Sequence, residues 1–341
     1  MSVTIRDVAS LANVSTKTVS RVINGDANVR PETRQRVQEA IRSLQYQPDP
    51  AARSLRLGVT QTIGVVIGHS ADVVFSNPFF AEVLRGIGRT MAAAGYQVVL
   101  MTHSGTETHG ALVNHRLVDG LILMSISAND PLIPHLQQLQ IPYVVTTKHE
   151  TSPFVDVDNA SGAYMAVTHL IHLGHRRIGL VNGPLGLANS RERQRGYQQA
   201  LEHAGIPFDP DLVVSGQFGE DSGYQLVQHF WNLPAPPTGF FVCADLTAIG
   251  VMRGIQQRGY SIPDDISVVG FDGVSLGQYL NPPLTTMNQH ADRKGTVAAD
   301  LLLRLIRGEE PRPRQITLPA DLTLRGSTAP CRSANLEEVA R

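Results

Sequence analysis

A head of three short helices joined to an α/β body of two doubly wound parallel-sheet lobes is the fold class this sequence predicts. Three observations carry it. Apolar residues in the first 44 positions recur at helical spacing. From Gln61 onward, short Val- and Ile-rich runs alternate with helical stretches, the pattern of parallel strands covered on both faces. About 270 residues of that second pattern is more than one ordinary core holds, so the body divides in two. With 42% hydrophobic and 17% charged residues among 341, the chain has the composition of a globular protein.

The elements follow in order. Ile5, Val8, Ala9 and Ala12 stand at i, i+3, i+4 and i+7, one apolar helical stripe. Asn13-Val14-Ser15 interrupts it. The Ser15 hydroxyl can accept a backbone N–H and so start a second helix, which buries Val19, Val22 and Ile23 and ends at Gly25. Pro31 suits the first turn of a third helix, where no N–H is needed; Val37, Ala40, Ile41 and Leu44 give that helix its stripe. Residues 1–46 thus form the head. The stretch YQPDPAARSLRLG, from Tyr46 to Gly58, has two prolines and a terminal glycine and marks a boundary. PAARSL within it is a helix too short to persist alone, so 47–60 reads as hinge and linker.

Residues 61–327 form the body. TIGVVIG, YQVVLM, DGLILM, IPYVVT, RIGLVNG, GFFVCAD and ISVVGFD read as strands. Phe80–Ala94, Ser161–Leu173, Glu192–Ala204, Ser222–Trp231 and Thr247–Arg258 read as helices between them. From Thr328 to Arg341 no periodicity remains, which reads as a disordered tail.

Charge is unevenly shared. The first 60 residues carry nine Lys/Arg and five Asp/Glu, an excess of +4; the whole chain is −1, so the remainder carries −5. A basic head on an acidic body points the head toward a polyanion. The second helix says which. With Val19, Val22 and Ile23 buried, its outer face presents Thr16, Lys17, Ser20, Arg21 and Asn24, all hydrogen-bond donors and none acidic. An α-helix fits the major groove of B-DNA, where Lys and Arg read guanine O6 and N7. In a helix-turn-helix the N-terminal end of the second helix, here Thr16 and Lys17, meets the bases.

The body has candidate ligand residues where open α/β sheets bind ligands, beyond the carboxyl ends of the strands. Asn77, Phe79 and Phe80 follow TIGVVIG, Asp245 follows GFFVCA, and Asp272 ends ISVVGFD. Arg193 stands just inside the helix after RIGLVNGP. Two carboxylates, a guanidinium and an aromatic wall suit a sugar or other polyol, whose adjacent hydroxyls take charge-assisted hydrogen bonds. Structural roles compete: Asp245 serves as well as a helix cap, Asp272 as a turn cap, Arg193 in an ion pair with Glu192 or Glu220, and one of the two phenylalanines as core.

TIRDVASLANVSTKTVSRVING, PETRQRVQEAIRSLQYQPD, ARSL and TIGVV resemble the head and hinge of the lactose-repressor (LacI/GalR) family of bacterial regulators. SNPFFAEVLRGI, VDGLIL, HLIHLGHRRIGLVNGP, RQRGYQQAL, ISVVGFD and NPPLTTM continue the likeness in order over residues 3–326. The resemblance implies a periplasmic-binding-protein-like body and an effector-responsive repressor that grips a near-palindromic operator as a homodimer. It implies base reading by Thr16, Lys17 and Arg21, with phosphate support from Ser15 and Asn24. PAARSL would be the hinge helix that forms when two copies meet on DNA, placing Ala52 against it and Leu55 as a minor-groove wedge. Arg193 and Asp272 would be the effector-gripping pair, with Phe218 and Gln289 nearby. The effector would be a sugar or sugar derivative, or a nucleobase as in some relatives. Three departures stand out: Asp49 where family hinges often carry Asn, Ala244 before Asp245 where an Asn is frequent, and a shortened stretch between VVLMTHSG and LVDGLIL.

Other chemistries find little footing. No G-x-G-x-x-G follows a strand, and no P-loop or G-x-S-x-G motif occurs, so no enzyme and no cofactor is expected. His169, His172 and His175 in HLIHLGH stand three apart, but no carboxylate or cysteine completes a metal set. Cys243 and Cys331 imply no disulfide framework. The polar N-terminus and short apolar runs predict a cytoplasmic protein without membrane contact.

Overall fold

The computed structural model describes residues 3–23, 25–46, 59–102 and 117–332. The chain divides into two compact units, Met1–Thr60 and Gln61–Arg341.

The head is three helices: α1 (Ile5–Leu11), α2 (Thr16–Ile23) and α3 (Pro31–Ser43). Each contributes one fully buried valine, Val8, Val19 and Val37, to a shared core closed by Ala9, Ala12, Val22 and Ala40. Asp7 accepts the Thr4 N–H at 2.8 Å at the start of α1, and this bond holds its carboxyl below the usual carboxylate range. Ser15 caps α2, its Oγ accepting the Thr18 N–H at 3.2 Å. The hinge segment with Asp49, Ala52 and Leu55 lies outside the described residues, as does Asn24.

In the body the first lobe opens with β1 (Thr62–Ile67), α4 (Ala71–Ser76), α5 (Pro78–Ala93), β2 (Gln97–Thr102), β3 (Gly120–Met124), α6 (Leu132–Gln138), β4 (Tyr143–Val145) and β5 (Phe154–Val157). The chain then crosses over. The second lobe holds α7 (Asn159–His172), β6 (Ile178–Asn182), α8 (Ala188–His203), β7 (Val213–Ser215), α9 (Glu220–Val227), β8 (Gly239–Val242), α10 (Asp245–Gln257), β9 (Ser267–Asp272) and β10 (Thr285–Asn288). A second crossing returns α11 (Ala291–Ile306) and β11 (Gln315–Leu318) to the first lobe, and a third takes β12 (Asp321–Thr323) back to the second.

The sheet orders are β2-β1-β3-β4-β5-β11 and β7-β6-β8-β9-β10-β12. All pairings are parallel except β10–β12, an antiparallel edge of the kind common on large parallel sheets. β3, β6, β8 and β9 are buried throughout, as strands covered on both faces must be.

All seven apolar runs are strands. Among the described residues five strands lie outside those runs, and so does α11, whose buried stripe is half Ala and Gly. The helix expected over Ser222–Trp231 tightens after Val227 into a 3₁₀ turn, Gln228–Asn232. The tail expected from Thr328 is corrected at its start. The Cys331 N–H donates to Leu173 at 2.7 Å, Ser267 Oγ accepts the Ala329 N–H, and Cys331 is buried. Residues 333–341 lie outside the described residues.

Candidate functional site

On the head, Thr16, Lys17 and Arg21 are exposed and Ser20 is half-buried, because the valines at 19 and 22 turn the opposite face of α2 into the core. Arg21 Nε is 3.5 Å from Asp26, an exposed pair of small energetic weight that a phosphate or base can displace. The Ser15 hydroxyl is shared between its cap and Thr18 Oγ1, 2.9 Å away.

In the body, one cavity gathers residues from the carboxyl ends of both sheets. Asn77, Phe79, Phe80, Arg193, Phe218, Asp272 and Gln289 all line it. Asn77 caps α5 by accepting the Phe79 N–H at 3.0 Å, which aims the next two rings at the cleft. Phe80 also belongs to the core, so the division of the two phenylalanines into one core and one wall does not hold. Phe218 reaches the cleft across Gly183, where any Cβ would strike its ring.

Arg193 is 3% exposed. Its guanidinium lies 3.8 Å above the Phe271 ring. Nε donates to Asn159 Oδ1 at 2.9 Å, and Nη1 donates to the Cys243 carbonyl. It pairs with neither Glu192 nor Glu220, which bind Lys148 and Arg253 instead.

Asp272, at the end of β9, has φ of 148°, a conformation L side chains rarely adopt. Its carboxylate accepts Gln289 Nε2 at 2.6 Å and the Asp245 N–H at 3.2 Å. Burial, then the neighbouring Asp245 charge, push its pKa up, while Arg193 pulls it down. Burial also lowers the pKa of His69 on the cavity wall and raises the Cys243 thiol to about 12, leaving that thiol protonated and inert.

Asp245 is corrected. It is fully buried and off the cavity wall. Its Oδ2 accepts the N–H groups of Gly273 and Val274 at 2.8 and 2.9 Å, and Oδ1 accepts the Thr286 hydroxyl at 2.6 Å. The loop after β9 presents those two amides directly to the start of α10, so the carboxylate is consumed in shaping the turn that carries Asp272.

The sequence reading missed Ser125, Thr146, Thr147, Asn189 and above all Lys294, which also line the cavity. Lys294 Nζ is 2.7 Å from Asp156 Oδ1, and both side chains are buried. Asp156 continues through Asn159 Nδ2, 3.1 Å away, to the amide that anchors Arg193. The signal was a lysine on the small apolar stripe Ala291, Gly295 and Ala298. Two of the three histidines serve packing: His169 bonds Thr328, and His175 bonds Thr238 and the Ala329 carbonyl; His172 is exposed.

The free space is about 40 Å³, roughly three waters at ~10–15 Å³ each. A ligand must part the lobes to enter. Among the described residues, polar contacts between them include Lys148 Nζ to Glu192 Oε1 at 3.1 Å and the Ser275 N–H to Glu82 Oε1 at 3.1 Å.

Residues 4–49 match the family described as bacterial regulatory proteins, lacI family, and residues 167–328 match the periplasmic binding protein-like domain. The HTH-type transcriptional regulator CelR of Thermobifida fusca is 36% identical over 332 residues, covering 95% of this chain and 98% of that protein. A solved CelR–cellobiose complex is similar with a TM-score of 0.75 at 34% identity, over 95% of this chain and 99% of that one. A lac repressor dimer bound to operator and the anti-inducer ONPF is similar with a TM-score of 0.85 at 29% identity, over 96% and 100%.

Proposed function

The chain belongs to the LacI family of bacterial transcriptional regulators, and from that premise we propose a repressor that binds a near-palindromic operator as a homodimer and takes a sugar or sugar derivative between its lobes. Its place of action is the chromosome, in the cytoplasm. Thr16, Lys17 and Arg21 on the exposed face of α2 read bases, Ser20 lies beside them in the DNA-binding face, and Ser15 supports phosphate contact. Asn24, and the hinge with Ala52 and Leu55, join them on DNA by family resemblance. Twofold symmetry of the protein matches twofold symmetry of the site. Phe75 and Tyr279, 76% and 77% exposed, support a partner surface, since large apolar side chains left open mark interaction sites.

The observation that carries the effector reading is Arg193. A guanidinium buried in a cleft, stacked on Phe271 and tethered by Asn159 and Cys243, is built to grip acceptors brought to it. Asp272 and Gln289 supply the opposing acceptor and donor, and Phe79 and Phe218 the apolar walls. The cellobiose complex of a relative supports a sugar. Effector and operator affinities are coupled reciprocally.

The test is Arg193→Ala, after operator selection from random DNA and a thermal-shift screen of sugars. The variant is expected to bind operator as wild type does and to lose both the thermal shift and the effector response. A variant that still responds would sink the assignment.

A further inference from the structure

We propose that the effector is acidic, a polyhydroxylated molecule bearing a carboxylate or phosphate, and that Lys294 receives its negative group. This rests on the cleft being the effector site.

Lys294 is the only charged residue among the buried positions of α11, whose companions are Ala, Gly and Leu. Stability does not account for it. A buried ion pair gains little over well-packed apolar residues of similar volume, because both ions lose their hydration. Its partner also faces away from the cleft. Asp156 does not line the cavity, and its oxygens are taken up by the protein: the Val157 N–H at 2.8 Å, the Lys148 N–H at 2.9 Å and Asn159 Nδ2 at 3.1 Å, besides Lys294. The cleft wall therefore includes Lys294 and not Asp156. An ammonium has three donors, of which Asp156 takes one.

Among the described residues, the charged side chains on the cavity wall are Arg193, Lys294 and Asp272, with Asp156 behind the wall against Lys294. Asp272 already accepts from Gln289 and Asp245. A neutral sugar satisfies Arg193 and Asp272 through its hydroxyls and leaves the remaining donors of Lys294, beyond the one that Asp156 takes, without a charged acceptor from the ligand. An anionic group supplies that acceptor, and in a water-poor cleft such a charge-assisted bond is strong.

The test compares charge-matched probes by calorimetry at fixed ionic strength. Gluconate, glucuronate and glucose 6-phosphate are set against sorbitol and glucose, with acetate and inorganic phosphate as minimal anions. At least one acid is expected to bind wild type tenfold or more tightly than its neutral counterpart, and the carboxylate and phosphate arms decide which group is recognised. Lys294→Met alone strands Asp156 and risks misfolding. The double variant Lys294→Met/Asp156→Asn removes both charges, and the ratio of acid to neutral-sugar affinity is expected to fall to about one, whatever happens to the absolute affinities. Failure of every anionic probe, neutral sugars binding as well as acids, or a preference that survives the double variant each overturns the proposal. Neutral-sugar binding lost in Arg193→Ala would leave the effector site standing even then.

Discussion

Asp272 sits where a charge is costly, at a rarely adopted φ and beside a second buried carboxyl. Burial raises the pKa of both Asp245 and Asp272 above the ordinary aspartate value. The folded body then binds protons more tightly than the unfolded chain. Its stability accordingly falls as pH climbs from the ordinary value of 3.8 toward the raised one, and is flat above that. Asp272→Asn removes one of the two charges. We expect a shallower fall of Tm between about pH 4 and pH 7 than in wild type, with effector binding lost; an unchanged slope would count against a buried charge at this position. On the head, Lys17→Ala is expected to lower the ratio of specific to nonspecific DNA affinity by ~1–3 kcal/mol per lost base contact. A uniform loss across all sequences would make Lys17 a phosphate ligand instead. At this scale the sequence was legible for Arg193, Asp272 and Asn77, which line the cavity beyond strong strands, and misleading for Asp245, which stands in a similar place but turns into the β9 loop. Lys294 was not legible, because its place depends on how the second crossing returns α11 to the first sheet.

Among elements, the pairing of α5 with α11 sets one wall of the cleft. A Cβ on Gly86 would fall 2.0 Å from the Asp292 carbonyl, and one on Gly295 would fall 2.1 Å from that of Val83. The two backbones therefore touch, and this contact fixes Phe79 at the head of one helix against Lys294 near the head of the other. Gly86→Ala wedges them apart. The expected cost is ~1–3 kcal/mol of body stability, with weakened effector binding and the fold of the isolated head unchanged; chemical denaturation followed lobe by lobe checks it. Seven strands were legible because buried parallel strands read as continuous apolar runs; the other five are only three or four residues long. α11 was not, because a stripe of Ala and Gly at a tight helix crossing has little hydrophobic contrast, and the lysine on it reads as surface.

For the whole molecule, two lobes could be counted from length alone, but not their interlacing. Nothing local in Gln315–Leu318 says that this strand joins β5 and not the nearer sheet. With three crossings between them, the lobes are free to bend but poorly able to slide. The Lys148–Glu192 and Ser275–Glu82 contacts tie one lobe to the other. Lys148→Ala is expected to quicken ligand release severalfold while changing stability by under about 1 kcal/mol, since the pair is partly exposed; stopped-flow dissociation measures it. Tyr279→Asp is expected to shift the protein toward monomer in sedimentation and to weaken operator binding with it.

The break after Thr60 and the interlaced strands beyond it differ in what they allow to be exchanged. The head is a detachable reader, so a foreign address could be grafted at that joint without touching the chemistry that decides when it is used. The body has no such seam. A cut at Asp158 strands β11 from its sheet, so half a sensor is not a smaller sensor, and any change in what it senses must be written side chain by side chain.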